Sequence, residues 1–362
     1  MHLSQLDILQ VRNLQDVQIL CHAGANVIYG SNGSGKTSLL EAIYLLGRGR
    51  SFKHRDLRVV VNNHADELVV SARIERNQSR SSQQLGVKRT AQGRFEARLD
   101  GKSLQSAVQL VEELPLQLID AHSFTLLEGG PLQRRQFLDW GVFHVEHGYT
   151  ALWRRFQKAL KQRNHLLRHG RMETESLRAW TAELIPLSEQ ITSYRKQYLV
   201  ELTQQAISVA GRFGGLGALE FEYYQGWDRQ RSLEEVMKAD EARDIATAKT
   251  NHGAHKADIR IKVDGVAAAE RLSRGQIKLL VYALKIAQGM HYQEKVGQSC
   301  LFLLDDLPAE LDYEHRGQVV SCLNGLGCQY FMTGVDKKDF EELVVGIAHQ
   351  MFHMEHGVAS VG

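Results

Sequence analysis

Two small groups of residues in this 362-residue sequence have the types and spacing that phosphate chemistry needs. The first is Gly30-Ser31-Asn32-Gly33-Ser34-Gly35-Lys36-Thr37: a glycine, four residues, then Gly-Lys-Thr. Glycines let the backbone curl so that successive N–H groups converge on a polyphosphate, which side chains would obstruct. Lys36 adds a mobile positive charge for the terminal phosphates, and Thr37 a hydroxyl for Mg2+, an ion that favours hard oxygen ligands. The second group is Asp305-Asp306, which closes the apolar run Cys300-Leu301-Phe302-Leu303-Leu304. Asp305 would hold the same Mg2+ through its water shell, and Asp306 would orient or deprotonate an attacking water. Lys36, Asp305 and Asp306 are therefore the candidate catalytic residues. Taken alone, each group has a bland alternative: a Gly/Ser-rich turn that binds nothing, or a strand that happens to end in two acids.

Local elements must hold these groups in place. Residues 25–29 read as a short buried strand before the loop, and 38–46 as a helix with apolar residues at 39, 40, 43 and 46, ending near Gly47. The loop then opens onto a helix N-terminus, whose dipole favours phosphate. Residues 300–306 read as a buried parallel strand, and ligands sit at the carboxyl edge of such sheets. Lys36 and Asp305 must meet at one Mg-nucleotide, so everything between them has to leave the sheet and return. Just before the second strand lies Leu272-Ser273-Arg274-Gly275-Gln276, where Ser273 is a good helix N-cap and Gly275 keeps the backbone accessible.

The remaining chain divides by character. Residues 3–11 and 17–20 form an expected hairpin joined at Asn13, and 47–55 a basic, glycine-punctuated loop, either solvated or placed near phosphates or DNA. Strand patterns follow at 57–61, 68–74, 85–88, 94–99 and 114–119, with a polar hairpin tip at 77–84 and a turn at Asp100-Gly101. Residues 151–171 then hold seven cations (Arg154, Arg155, Lys158, Lys161, Arg163, Arg168, Arg171) and no acid, while Leu152, Phe156 and Leu160 mark one buried stripe. A charged helix is often only a solvated face, but the lack of any acid favours phosphate contact. Arg154, Arg155, Lys158 and Lys161 are the candidate DNA contacts. Apolar residues at 177, 180, 184, 187, 191, 194 and 198 alternate gaps of three and four, a coiled-coil-like seam. As one helix, 177–209 would run about 50 Å, with Pro186 a place for a kink. The glycine-rich stretch 211–217 ends it, and the acidic stretch 220–244 is expected to return the chain to the core.

Composition sets bounds on the class. Apolar residues make up 43% and charged residues 24%, as in globular proteins, and a formal net charge of +2 means that any nucleic-acid surface is local. Four separate cysteines without a CxxC pair read as reduced thiols. No secretory leader is recognisable, and no apolar run approaches the roughly 20 residues that span a bilayer. A cytoplasmic protein without membrane partners is expected.

Ser273, Gly275 and Gln276, beside a phosphate loop and a carboxylate strand, resemble the signature motif of ABC-type ATPases, and Glu310-Leu311-Asp312 resembles the loop after that strand. Taken with Gly47-Arg48-Gly49-Arg50-Ser51-Phe52, residues 124–131, Arg134-Arg135, residues 137–141 and His255-Lys256-Ala257-Asp258, the chain is similar over nearly its full length to the RecF recombination-mediator family, an SMC-like branch of those ATPases. The resemblance implies an α/β, ABC/SMC-type ATPase head with mixed sheets and an inserted helical arm. We place the core at 1–122 and 246–362 and the arm at 123–245. It also implies ATP with Mg2+, an ATP-dependent homodimer in which Ser273, Gly275 and Gln276 complete the partner's site, and binding to single-stranded and gapped or junction DNA. RecO and RecR are the implied protein partners in loading RecA recombinase.

Two positions depart from the family pattern. Thr333 stands near the place of a switch histidine, which suits slow turnover, and Ala254 stands where proline is expected, which should loosen a turn. The glutamine-loop equivalent lies somewhere in 117–122. Two other classes remain as alternatives: a non-catalytic ATP-gated scaffold, against which the second carboxylate argues, and a transporter nucleotide-binding subunit, against which the long helical insertion argues.

Overall fold

In the computed structural model, the helix Lys36–Arg48 after the phosphate loop is buried on nearly every side because it lies between two sheets. Its apolar residues extend beyond one stripe: Leu39, Leu40, Ala42, Ile43, Leu45 and Leu46 are all buried, as expected of a helix covered all round. The structure describes residues 1–54, 56–76, 79–169 and 174–362. The chain forms two units, one from residues 1–123 and 278–362, the other from residues 124–277.

The first unit holds both sheets. One is antiparallel, in the order β2-β1-β4-β5-β6-β7, from β1 (His2–Val11), β2 (Leu14–Leu20), β4 (Glu67–Arg76), β5 (Ser79–Thr90), β6 (Phe95–Leu99) and β7 (Lys102–Ser103). The other has the order β15-β14-β3-β13-β12-β8, from β3 (Ala25–Tyr29), β8 (Leu116–Ile119), β12 (Leu301–Leu304), β13 (Tyr330–Gly334), β14 (His349–Glu355) and β15 (Val358–Val361). All its pairings are parallel except the antiparallel edge strand β15. The mixed α/β ATPase-head fold read from the sequence is the fold observed. Two local readings change. Residues Leu57–Val60 form a 3-10 turn capped by Asp56, and 79–84 belong to β5, paired with β4; residues 77 and 78 of the expected hairpin tip lie outside the described residues.

In the second unit, the helices Tyr149–His169 and Thr174–Phe213 pack side by side. The seam residues Leu177, Leu184, Leu187, Ile191 and Tyr198 are buried. Pro186 lies exposed inside one continuous 40-residue helix, so the kink is not needed to end or divide it. A three-stranded sheet, β11-β10-β9, from β9 (Leu219–Tyr224), β10 (Asp258–Val263) and β11 (Val266–Ala267), completes this unit. The acidic stretch 220–244 therefore stays in the second unit as β9 and the short helices Leu233–Ala239 and Glu241–Thr247. The second boundary falls at 277/278 instead of 245/246 because β10 pairs along its full length with β9. Ala254 is fully buried, and its carbonyl accepts from Arg195 Nη1 at 2.7 Å.

The four cysteines are free, three of them buried. Among the described residues no helix is long and apolar enough to cross a membrane.

Candidate nucleotide-binding site

The sheet order β3-β13-β12 brings the two chemical groups to one edge. β13 pairs in parallel with β3 on one side and β12 on the other, so the residues after Tyr29 and Leu304 emerge at the same end. Between them lies a cavity of about 550 Å3 whose lining includes Lys36, Thr37, Asp305 and Asp306. This volume is in the range of small-molecule sites.

The loop's backbone requires glycine at two points. Gly30 has φ 151°, and a Cβ there would lie 2.2 Å from the Met354 carbonyl oxygen; Gly35, at φ 116°, would push into Leu14 Cδ2 at 2.7 Å. The curl leads into the first turn of Lys36–Arg48, whose N–H groups point out of the helix start. Lys36 Nζ donates to the carbonyls of Gly30 and Ser31 at 2.7 and 2.9 Å. Burial lowers its pKa, against the pull of Asp306 and Asp305. Ser34 Oγ is buried and finds no hydrogen-bond partner among the described residues, so the loop carries a donor ready for an added acceptor.

Asp305 sits just past a fully buried strand, and its carboxylate is the meeting point of the site. Its Oδ1 accepts from Thr37 Oγ1 at 3.1 Å and from Thr333 Oγ1 at 3.0 Å. Burial raises its pKa, while Thr333, Lys53 and Thr37 hold it down. Asp306 follows in a left-handed conformation, φ 54° and ψ 44°, with its N–H donating to Thr333 Oγ1 at 2.8 Å. Hydroxyl and carboxylate oxygens beside a glycine cradle, a lysine and an unpartnered serine fit a Mg-nucleotide. Thr37 and Asp305 would hold the metal; Lys36 and the loop amides from Gly30 to Thr37, Ser31, Asn32, Gly33 and Ser34 among them, would hold the phosphates.

Several pocket residues were not singled out as site residues from the sequence. Arg12 makes a two-pronged contact with Glu41, which is fully buried on the loop helix and also accepts from Ser51 Oγ. Ser51 Oγ in turn accepts from the amides of Lys53 and His54, and this places Lys53 in the pocket wall. Asn13, read only as a hairpin centre, donates to the Gly33 carbonyl at 3.1 Å and accepts from Ser38 Oγ at 2.8 Å. Gly357, in the β14–β15 turn, donates its N–H to the Ser34 carbonyl at 2.9 Å. An Arg-Asn pair in a tight hairpin turn was a usable signal for the first of these; nothing local marks Gly357. Gln117, in the expected glutamine-loop stretch, is buried and bonded to Gln288 at 3.1 Å, whereas Ala121 lines the pocket.

The signature residues belong to the second unit. Ser273 and Gln276 form a reciprocal cap at the start of helix Arg274–Val296: Ser273 N–H donates to Gln276 Oε1 at 3.0 Å, and Gln276 N–H to Ser273 Oγ at 3.3 Å. Gln276 Nε2 also donates to the Gly215 carbonyl at 2.7 Å, and Gly275 is exposed with open space around it.

The cationic helix is less uniformly exposed than its sequence suggests. Arg154, Lys158 and Lys161 are exposed, Arg155 pairs with Glu183 at 2.6 Å, and Arg163 is buried in an ion pair with Asp244 at 2.7 Å. Arg171 lies outside the described residues. The segment His255–Asp258 proves to be a packing hub: Asp258 receives Arg134 at 2.7 Å, the Ala257 carbonyl receives Arg135 at 2.7 Å, and His255 Nε2 donates to the Thr250 carbonyl at 3.0 Å.

The family described as RecF/RecN/SMC N terminal domain matches residues 2–359. The chain is 46% identical over 358 residues to the DNA replication and repair protein RecF of Azotobacter vinelandii, covering 99% of this chain and 98% of that protein. It is 45% identical to the protein of the same name from Stutzerimonas stutzeri, over 99% and 96% of the two. In fold it is similar to solved structures of the recombination mediator protein RecF with ATP, in the RecFOR pathway (TM-score 0.90, 22% identity, 100% and 97% covered), and with ATPrS (TM-score 0.88, 23% identity, 99% and 98% covered). It also resembles an Smc head bound to the C-winged helix domain of ScpA, with TM-score 0.62, 13% identity and 100% and 97% covered.

Proposed function

Because this chain belongs to the RecF family, we propose that it is an ATP-gated DNA-binding switch of replication and repair, working through slow, DNA-stimulated ATP hydrolysis. The observation that carries this reading is the Thr37–Asp305 hydrogen bond inside a glycine-cradled cavity. It brings the Thr37 hydroxyl, the Asp305 carboxylate and the neighbouring Asp306 to one place, which supports assigning the first two to the metal and the third to the attacking water. Bound Mg2+ would neutralise charge on the phosphates; Thr37 and Asp305 orient it, Lys36 binds the phosphates, and Asp306 holds the attacking water.

Nucleotide binding is coupled to assembly in this reading. The exposed start of helix Arg274–Val296, with Ser273, Gly275 and Gln276, covers the nucleotide of a second copy, so two ATP molecules are shared in a homodimer and hydrolysis opens it. The relatives' name supports a role in DNA replication and repair, and the RecFOR pathway of the solved structures supports RecO and RecR as partners. In the fuller reading, the protein acts in the cytoplasm on gapped or junction DNA and helps to load RecA recombinase. The exposed cations Arg154, Lys158 and Lys161 on the arm helix supply phosphate contacts.

The test is Asp306→Asn. It should bind ATP as the parent does, hydrolyse it at least tenfold more slowly, in keeping with about 10²–10⁴-fold for a positioned acid or base, and accumulate as an ATP-dependent dimer in gel filtration. A variant that stays monomeric at saturating ATP would refute the shared-site arrangement.

A further inference from the structure

We propose that Thr333 is a positioning residue of this site: one hydroxyl sets the relation between the metal-side and hydrolytic carboxylates, and through it the divalent-cation requirement and the turnover. The inference rests on the roles given above to Asp305 and Asp306.

Thr333 sits on β13, the strand between β3 and β12, where it pairs with Ile28, and it is only 1% exposed. A threonine hydroxyl has a single proton and two lone pairs. Here the proton goes to Asp305 Oδ1 at 3.0 Å, and a lone pair accepts the Asp306 N–H at 2.8 Å. The two bonds are mutually consistent, because an oxygen that donates to a carboxylate becomes a better acceptor for an amide. Each bond has a distinct task. The first fixes the Asp305 oxygen that also receives Thr37 Oγ1. The second bonds an aspartate held at φ 54°, in the left-handed region that is uncommon for non-glycine residues, although aspartate tolerates it better than most. Asp306 starts the short helix Leu307–Glu310, so loss of its N–H bond would let the backbone leave the left-handed region and swing the carboxylate away from the cavity.

The consequence is separable from ATP affinity. The loop amides and Lys36 hold the phosphates without Thr333. Removing the hydroxyl should therefore spare binding of the nucleotide itself while damaging what depends on the carboxylates.

The experiment compares Thr333→Val, Thr333→Ser and Asp306→Asn in the full chain. One readout is ATP turnover; the other is the Mg2+ concentration that half-saturates the metal-dependent part of binding of a fluorescent, non-hydrolysable ATP analogue. Thr333→Val should lower kcat about tenfold to a hundredfold, the range expected for a lost hydrogen bond to a charged group, with KM for ATP changed by less than about threefold. It should also raise the Mg2+ midpoint at least about threefold, and Thr333→Ser should restore both. If Thr333→Val does not fold, Thr333→Ala must meet the same demands. Parental turnover and Mg2+ midpoint in the folded Val or Ala variant, or a Ser variant as impaired as they are, would overturn the inference. If instead Asp306→Asn hydrolyses ATP at the parental rate, the reading of the site itself fails.

Discussion

Thr37 Oγ1 donates to Asp305 Oδ1 at 3.1 Å although 268 positions separate the two residues. The contact closes the sheet edge on the phosphate loop and joins the two side chains that would hold a metal ion in the proposed reading. Thr37→Val and Asp305→Asn should each weaken Mg2+-dependent nucleotide binding, and the double variant should lose less than the sum. A coupling of about 0.5–3 kcal/mol is expected for residues in direct contact. Fluorescent-nucleotide titrations of the four proteins, with Mg2+ and with EDTA, measure it; strict additivity would separate the two side chains functionally.

Glu41 ties three segments of the pocket together. It is fully buried, holds Arg12 through two contacts and accepts from Ser51. Glu41→Gln leaves the Arg12 guanidinium without its countercharge and should cost about 3 kcal/mol of stability, toward the low end for a broken buried pair because Arg12 is partly exposed. Urea unfolding of the full chain reads this. Nucleotide affinity should fall as well, since Arg12 and Lys53 both line the pocket.

His255 predicts a pH dependence in the second unit. Burial pushes its imidazole down to about 4, with the Thr250 carbonyl opposing the shift, and its Nδ1 finds no partner among the described residues. The unfolded chain takes up this proton near 6.5 and the folded chain only near 4. Between those values the unfolded state binds more protons, so the His255 contribution makes stability fall as pH is lowered through that window. His255→Gln should flatten the decline in urea midpoint between about pH 6.5 and pH 5 relative to the parent. An identical slope in both proteins would assign the decline to other groups.

The arm helix makes the DNA reading quantitative. Reversing Arg154, Lys158 and Lys161 to glutamate should weaken DNA binding at low salt. If each cation meets a phosphate, the log–log salt slope should become shallower by about 2–3. Titration of gapped DNA at several salt concentrations is the measurement, and an unchanged slope would leave the arm as a solvated face.

Much of this was legible in the sequence because it is local. The loop Gly30 to Thr37, the strand before it and the apolar run into Asp305-Asp306 each declare themselves through spacing and hydrophobic pattern, and the seam at 177–198 does so through its period. The reading of 57–61 as a strand failed because four branched and apolar residues fit a 3-10 turn as well as a strand, and the Asp56 cap decides between them. The reading of 220–244 as a return to the core failed because composition carries no information about which strand β9 will pair with.

By itself, then, the chain's pattern determined that a phosphate loop, a carboxylate strand and a long helical insertion exist, since backbone geometry and amphipathic period act over a few residues. Only the tertiary structure decided which side chains share a charge or a proton. It sent Arg163 into a buried pair with Asp244 while leaving Lys158 and Lys161 exposed, although all three stand on one helix. It also set Thr333 between two aspartates and Gly357 against the loop. Hydrogen bonds and ion pairs depend on distances of about 3 Å, and segments remote in sequence reach such distances only once the sheets have fixed their order and register.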